Sequence, residues 1–389
     1  MWIRHLSLTH YRNYARQDLD LCQGPLLLLG ANAQGKSNLL EAVFLLATTR
    51  AERAAADGDL IDWAALDEAQ PVARVTAQIE RRDGPLALEV IVAARSGRTK
   101  DGRVMASKRL RVNGVARRQI DFVGQLTAVL FSTHDLELVG GPPAERRRYL
   151  DTTLSQLDRT YAQALHRYTK VIAQRNALLR RIQEGDADEG ELSFWDDELA
   201  RDGAVLMRER ASAVETLATY AREEHARISD GKEELAIAYQ PRLAGWEGAR
   251  AQRKPRAIAE ALRDELESRR GRDIGAGMTL TGPHRDDLSF MLNGVVAASF
   301  ASRGQQRTAA LALRLAEARF LAGGKGDLPV VLLDDVLSEL DEQRRRAVLE
   351  SLGGWDQIII TSADADRFGE GLPAAAKAFR VRDGSISGE

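Results

Sequence analysis

The chain has little of what a secreted, metal-clustered or membrane-spanning protein needs. It holds one cysteine, Cys22, which excludes a disulfide framework and a thiolate metal cluster. Its six histidines are scattered, and no two have the spacing of a zinc-ligand pair. No apolar run approaches the roughly 20 residues that cross a bilayer. The opening "MWIRHLSLTHYRNY" lacks the basic stretch and apolar run of a signal peptide. Neither sign of charge dominates: 55 Lys and Arg face 57 Asp and Glu, for a net charge of −2. A nucleic-acid partner would therefore have to be met by a local patch rather than a global field. No internal repeat or low-complexity segment is present. The expectation is a soluble, cytoplasmic protein with no membrane contact. Its 389 residues, 44% of them hydrophobic, allow two or three domains and a sizeable core.

Strand patterns dominate the first 140 residues. "IRHLSL" alternates, "PLLLLG" is fully apolar, and "ARVTAQIE" and "LALEVIVAA" follow. Asn113-Gly114 marks a hairpin, and "LTAVLF" is a further buried strand. From about Pro143, Leu150, Leu154, Leu157, Tyr161, Leu165, Tyr168, Ile172, Leu179 and Ile182 recur at helical spacing. Arg175 alone interrupts that stripe, and a break is expected near Asp158. A second long helix is expected from about Leu192 to Ile228, then a strand within "GKEELAIAYQPRL" and a helix opened by Pro255. Strands return in "MTLTGPHRDDLSFMLNGVVAASF", "LPVVLLDD" and "DQIIITSA". Alternating strands and helices argue α/β, with a largely parallel central sheet and an inserted helical region.

Two motifs carry chemistry directly. Gly30-Ala31-Asn32-Ala33-Gln34-Gly35-Lys36-Ser37 fits G-x-x-x-x-G-K-[ST], between an apolar strand and the helix "SNLLEAVFLLA". In such a P-loop, backbone N–H groups wrap the phosphates of ATP, Lys36 neutralises their charge, and Ser37 ligates Mg²⁺. Val330-Val331-Leu332-Leu333-Asp334-Asp335 is an apolar strand ending in carboxylates, a Walker B pattern. Asp334 would hold Mg²⁺, and Asp335 would polarise an attacking water.

"SRGQQRT" (Ser302, Gly304, Gln305) opens a long helix about 30 residues before those carboxylates. Its order and spacing resemble the signature of ABC-type ATPases, in which the signature of one subunit covers the γ-phosphate held by the other. Ser338-Glu339-Leu340-Asp341 resembles the D-loop that crosses the same interface. Other parts of the ABC pattern are missing. Thr361-Ser362 stands where a switch histidine belongs, and Ser132-Thr133-His134-Asp135 contains no Q-loop glutamine. Asp335 is also one methylene shorter than the usual Glu, so slow hydrolysis is expected, as suits a switch.

Taken together, the motifs resemble the RecF family, whose members have an SMC-like ABC head. The resemblance rests on "YRNY" (Tyr11 to Tyr14), "QGKSNLLEAVFLL", "VLFSTHDLELVGGPPAERRRYLD", "YTKVIAQRNALL", "TGPHRDDLSF", "SRGQQRTAALALRLAEA" and "LLDDVLSELD". It implies a P-loop ABC-type ATPase head with an antiparallel β subdomain and an inserted helical arm. The parts are placed at 1–140, 141–274 for the arm, and 275–389. It also implies an ATP-dependent homodimer that binds duplex DNA near single-strand gaps. Recombinase loading with RecR, and with RecO by relay, would follow, in DNA repair, replication and the SOS response. Arg12 and Asn13 would lie at the nucleotide. Ala33 stands where that family usually has Gly, so a loop needing φ > 0 there would be strained.

Nine Lys and Arg lie between Arg95 and Arg118 (95, 98, 100, 103, 108, 109, 111, 117 and 118), with only Asp101 against them. Such a hairpin can track phosphates without reading sequence. Arg146-Arg147-Arg148 and Arg269-Arg270-Arg272 read as solvated helix faces. Arg285 is expected to be buried and paired with Asp286 or Asp287. The rival readings are a P-loop small-molecule kinase and another ABC-type ATPase subunit. A transporter ATPase should have the missing Q-loop and switch histidine. A long SMC protein needs far more than the roughly 265 residues between P-loop and signature.

Overall fold

The computed structural model describes residues 1–98, 102–247, 254–363 and 376–388. The chain divides into two compact units. The first comprises Met1–Asp135, Glu223–Lys232 and Ala310–Glu389.

In the first unit, β1 (Trp2–Tyr11), β2 (Tyr14–Asp20), β4 (Val72–Glu80), β5 (Leu86–Arg98), β6 (Val104–Val112) and β7 (Val115–Arg117) form one antiparallel sheet, ordered β2-β1-β4-β5-β6-β7. A second sheet is ordered β15-β14-β3-β13-β12-β8, from β3 (Gly24–Leu29), β8 (Ala128–Phe131), β12 (Val330–Asp334), β13 (Gln357–Ser362), β14 (Lys377–Arg382) and β15 (Ser385–Gly388). All its neighbours run parallel except β15. Its inner strands are continuous apolar runs because both their faces are covered. On β1 the alternation is broken by a register shift between Ile3 and His5, after which Leu6 and Leu8 again point inward. Helix α1 (Lys36–Thr48) contacts both sheets, which is why it is apolar nearly all round.

The second unit comprises Leu136–Arg222 and Glu233–Ala309. It contains α2 (Pro143–Leu157), α3 (Arg159–Glu184), most of α4 (Leu192–Ile228), α5 (Pro255–Ser268), and an antiparallel sheet of β9 (Leu235–Gln240), β10 (Asp287–Leu292) and β11 (Val295–Val296). The break at Asp158 is real: its backbone is extended and its carboxylate accepts from Thr160 N at 2.7 Å, capping α3. Residues 275–309, grouped by sequence with the C-terminal part of the head, belong to this unit, because β10 pairs along its length with β9.

The arginines of this unit depart from the sequence reading. Arg146 is buried and forms a bidentate pair with Asp287, at 2.6 and 3.0 Å, rather than facing solvent. Arg147 donates to Asp286 O at 2.8 Å, and Arg270 pairs with Asp196 at 2.8 Å. Arg285 is exposed and donates to Thr279 O. Asp286 is held instead by the Tyr239 hydroxyl and by Arg242 N, with Arg210 at 3.8 Å. Short-range adjacency suggested Arg285, but fixed backbone direction gave its neighbours to arginines from distant helices.

Candidate nucleotide-binding site

The strand β3 leads into the P-loop, and α1 carries it away. Two loop residues have φ > 0, Ala33 at 66° and Gly35 at 118°. A Cβ on Gly30 would lie 2.3 Å from Val381 O, and one on Gly35 would lie 2.7 Å from Asn13 Nδ2. Gly30 is therefore required by a close backbone approach, and Gly35 by its φ and by the Asn13 and Tyr14 side chains packed on it. Lys36 Nζ donates to Gly30 O at 2.5 Å and to Ala31 O at 2.8 Å. Burial lowers the Lys36 pKa, while the Asp335 and Asp334 carboxylates pull it back up.

Ser37 Oγ donates to Asp334 Oδ1 at 2.6 Å. Thr361 Oγ1 lies 3.0 Å from the same oxygen and accepts from Asp335 N at 2.9 Å. Arg53 Nη2 stands 3.9 Å from Asp334 Oδ2. Asp335 takes a left-handed backbone, φ 56°, and its buried Oδ1 has no hydrogen-bond partner among the described residues. A carboxylate oxygen so placed is costly unless something comes to meet it. No group of three or more His, Cys, Asp or Glu among the described residues could hold a metal alone. Mg²⁺ held by Ser37 and Asp334, with phosphate oxygens completing the shell, fits such a donor set.

Asn13 Nδ2 donates to Gln34 O at 3.0 Å, its Oδ1 accepts from Asn38 at 2.8 Å, and Tyr14 OH donates to Gly35 O at 2.9 Å. From the other side, Gly384 N donates to Gln34 O at 3.1 Å and Asp383 N to Gln34 Oε1 at 2.7 Å. Two turns thus strap the loop. The Arg12 guanidinium is committed to Glu41 on α1, at 2.8 and 3.0 Å, and to Asp59 O. Sequence reasoning missed Arg53, Thr361 and the Asp383-Gly384 strap. The Asp-Gly pair was visible only as a turn, and Thr361 only as the place where a histidine was lacking.

The expected Q-loop position holds a different device. Asp135 caps its own turn through Ser132 N at 2.9 Å and accepts from Arg314 at 2.7 and 3.0 Å. Arg314 also donates to Glu317 at 2.9 Å. The signature residues lie in the second unit, at the start of α6 (Arg303–Lys325). Ser302 Oγ accepts from Gln305 N at 3.3 Å while Gln305 Oε1 accepts from Ser302 N at 2.9 Å, a reciprocal capping box. Gln305 Nε2 donates to Glu233 at 2.8 Å, and Gly304 O accepts from Thr308 at 3.0 Å. Asp341 caps α7 (Glu342–Ser351), accepting from Arg344 N at 2.8 Å.

A P-loop, adjacent strand-end carboxylates and a capped signature turn on one chain define an ABC-type ATPase head. The family described as RecF/RecN/SMC N terminal domain matches residues 2–386. The chain is 46% identical to the DNA replication and repair protein RecF of Chloroflexus aggregans, covering 99% of both, and 45% identical to that of Roseiflexus castenholzii, again 99% of both. It is similar to the solved recombination mediator protein RecF with ATP, from the RecFOR pathway, at 31% identity and a TM-score of 0.86, over 100% of this chain and 97% of that one. An Smc head bound to the C-terminal winged helix of ScpA shares the fold, at 16% identity and a TM-score of 0.54, over 100% of this chain and 98% of that one. The chain belongs to the RecF family.

Proposed function

We propose that this chain is an ATP-dependent DNA-binding recombination mediator. It dimerises on ATP–Mg²⁺, binds duplex DNA near single-strand gaps, and promotes recombinase loading with RecR and RecO in repair, replication and the SOS response. The observation that carries the nucleotide reading is the convergence of Lys36, Ser37 and Asp334 beside the unpartnered oxygen of Asp335. Lys36 leaves its two loop carbonyls for the phosphates. Ser37 and Asp334 hold Mg²⁺, Arg53 turns toward the terminal phosphate, and Thr361 keeps Asp334 oriented. The shorter Asp335 makes hydrolysis slow. Ser302, Gly304 and Gln305 serve the nucleotide of a second copy. The relatives' names support the repair setting. No described helix is long and apolar enough to cross a membrane.

The DNA reading rests on the basic stretch from Arg95 to Arg118, which surrounds the hairpin of β6 and β7. Four of its cations face carboxylates: Arg103 with Asp59, Lys108 with Asp57, Arg111 with Glu89 and Arg118 with Asp121. Arg95, Arg109 and Arg117 are exposed, and these three would meet phosphates. Lys100 and the Arg98 side chain lie outside the described residues. Sedimentation with and without ATP–Mg²⁺ and a gapped duplex tests the reading. A dimer formed by ATP and strengthened by DNA is expected. A chain that binds ATP yet stays monomeric would favour the kinase alternative.

A further inference from the structure

Within the first unit, three cations from separate segments meet beside the start of β8 and β12. Arg81 and Arg82 lie in the turn between β4 and β5, and Lys325 ends α6. Arg81 Nη1 stands 3.5 Å from Gln125 Oε1, and its buried Nε has no hydrogen-bond partner among the described residues. Lys325 Nζ donates to the carbonyl of the preceding residue, Gly124. Arg82 Nη1 lies 3.8 Å from where a Cβ on Gly326 would stand, next to Lys325. Among the described residues, none of the three side chains pairs with a carboxylate. The carboxylates nearby are turned elsewhere. Asp327 lies 3.7 Å from Met1 N and accepts from Arg82 N at 3.4 Å, and Asp121 pairs with Arg118 at 2.9 Å. Asp83, in the same turn as Arg81, is exposed. Burial, with Arg81 close by, lowers the Lys325 pKa. Like charges gathered without a counterion, one of them with a buried N–H that bonds to nothing, are costly unless an anion meets them.

We propose that Arg81, Arg82 and Lys325 form a second oxyanion site, which takes a phosphate group other than those of the P-loop nucleotide. The two sites lie at opposite ends of one strand. Lys325 precedes the start of β12 and Asp334 closes its end, and the strand alone spans about 13 Å. The second site therefore stands whether or not the nucleotide reading holds. Three unneutralised cations exceed what one carboxylate offsets. They suit the spread oxygens of phosphate, as the free dianion or as successive groups of a nucleic-acid strand. Gly326, at φ 76°, lets the chain turn there without a side chain against Arg82.

The test is the melting temperature of the full chain as inorganic phosphate replaces chloride, up to about 10 mM at constant ionic strength. The P-loop is kept filled with a non-hydrolysable ATP analogue and Mg²⁺. Phosphate should raise the melting temperature of wild type, and Arg81→Gln and Lys325→Gln should each bind it about tenfold more weakly and lose most of the rise. In chloride alone both variants should be no less stable than wild type, since each removes one of the crowded charges. Arg82→Gln, at an exposed position, keeps the test open should either of the others fail to fold. Affinity for the ATP analogue should be unchanged in all three. No rise in wild type, or the same rise in wild type and the variants, overturns the proposal. Anisotropy of a labelled duplex then separates the two sources. Weaker binding by the variants, with a salt slope lower by about one per cation removed, assigns the site to a nucleic-acid strand. Unchanged duplex binding assigns it to free phosphate.

Discussion

Charged side chains do opposite work in the core of the second unit and around the P-loop of the first. In the second unit, buried arginines are charge-paired with buried carboxylates, although Arg175 Nη2 has no hydrogen-bond partner among the described residues. Arg175, fully buried, meets Asp196 at 2.8 Å, Asp273 at 2.7 Å and Thr279 at 2.8 Å. Arg210 meets Asp151 at 2.7 Å, Pro283 O at 2.6 Å and Tyr161 OH at 3.0 Å. Around the P-loop the charges are provisionally held. Lys36 rests on two backbone carbonyls, Arg53 stands off Asp334 at 3.9 Å, and Asp335 keeps a buried oxygen with no partner among the described residues. A closed set of charges fixes structure, whereas a half-closed set waits for a ligand.

The largest effect should come from opening a closed set. Arg175→Met leaves the buried Asp273 carboxylate without its cation, while Asp196 keeps Arg270 at 2.8 Å, and breaking such a cluster costs about 3–5 kcal/mol. Chemical denaturation should register that loss, while Arg53→Met should leave stability within about 0.5 kcal/mol, as expected of a surface change. Equal losses for the two would erase the contrast.

Lys36→Ala should do the reverse. It removes no closed pair, so stability should move little. ATP binding should fall by about 2–3 kcal/mol, or roughly thirty- to 150-fold, the loss of a charged donor to phosphate. Calorimetric titration with ATP–Mg²⁺ reads it. A large drop in stability with unchanged ATP affinity would mean that the lysine serves the loop rather than a ligand.

The second unit also contains a group that must stay uncharged. His284 Nδ1 accepts from Tyr168 OH at 2.7 Å, and Nε2 donates to Thr279 O at 3.0 Å. Burial, with Arg285, Arg147 and Arg175 nearby, lowers its pKa from the usual 6.5 to about 4. The unfolded chain therefore binds more protons than the folded one between those values. Its stabilising contribution is complete above pH 6.5 and is lost as pH falls toward 4. The loss from pH 6.5 to 5 should be about 2 kcal/mol, at 1.4 per unit. His284→Gln should flatten that part of the stability–pH curve. An unchanged slope would assign the acid sensitivity elsewhere.

This contrast also explains what could be read in the sequence. Walker A and B were legible because backbone geometry and phosphate chemistry demand particular residues at fixed spacing. Helix ends at Asp158 and Pro255 were legible because capping is local. The arginines were not. Arg146 sits in a basic stretch read as solvated and Arg175 interrupts an apolar stripe with no partner in sight, because their partners lie 141 residues away at Asp287 and 98 away at Asp273. Nothing local distinguishes Arg146 from Arg285, which stayed exposed. Thr361 and Arg53 were hidden for the same reason, since each reaches Asp334 only because the fold brings it there.

The smallest predicted effect lies within the P-loop, where two positive-φ residues differ in kind. Gly35, at 118°, occupies a region that side chains rarely enter, and a Cβ there meets Asn13. Ala33, at 66°, is left-handed helical, which costs a non-glycine residue about 1 kcal/mol. Ala33→Gly relieves that strain but frees the unfolded chain, at a cost of about 0.4–1 kcal/mol. The two nearly cancel, so the change in stability should stay within about 0.5 kcal/mol. ATP affinity should rise no more than severalfold. Gly35→Ala should lose both stability and ATP binding. If Ala33→Gly instead raised affinity a hundredfold, the strain at that position would be a device that weakens nucleotide binding, and the half-closed character of the site would begin in its backbone.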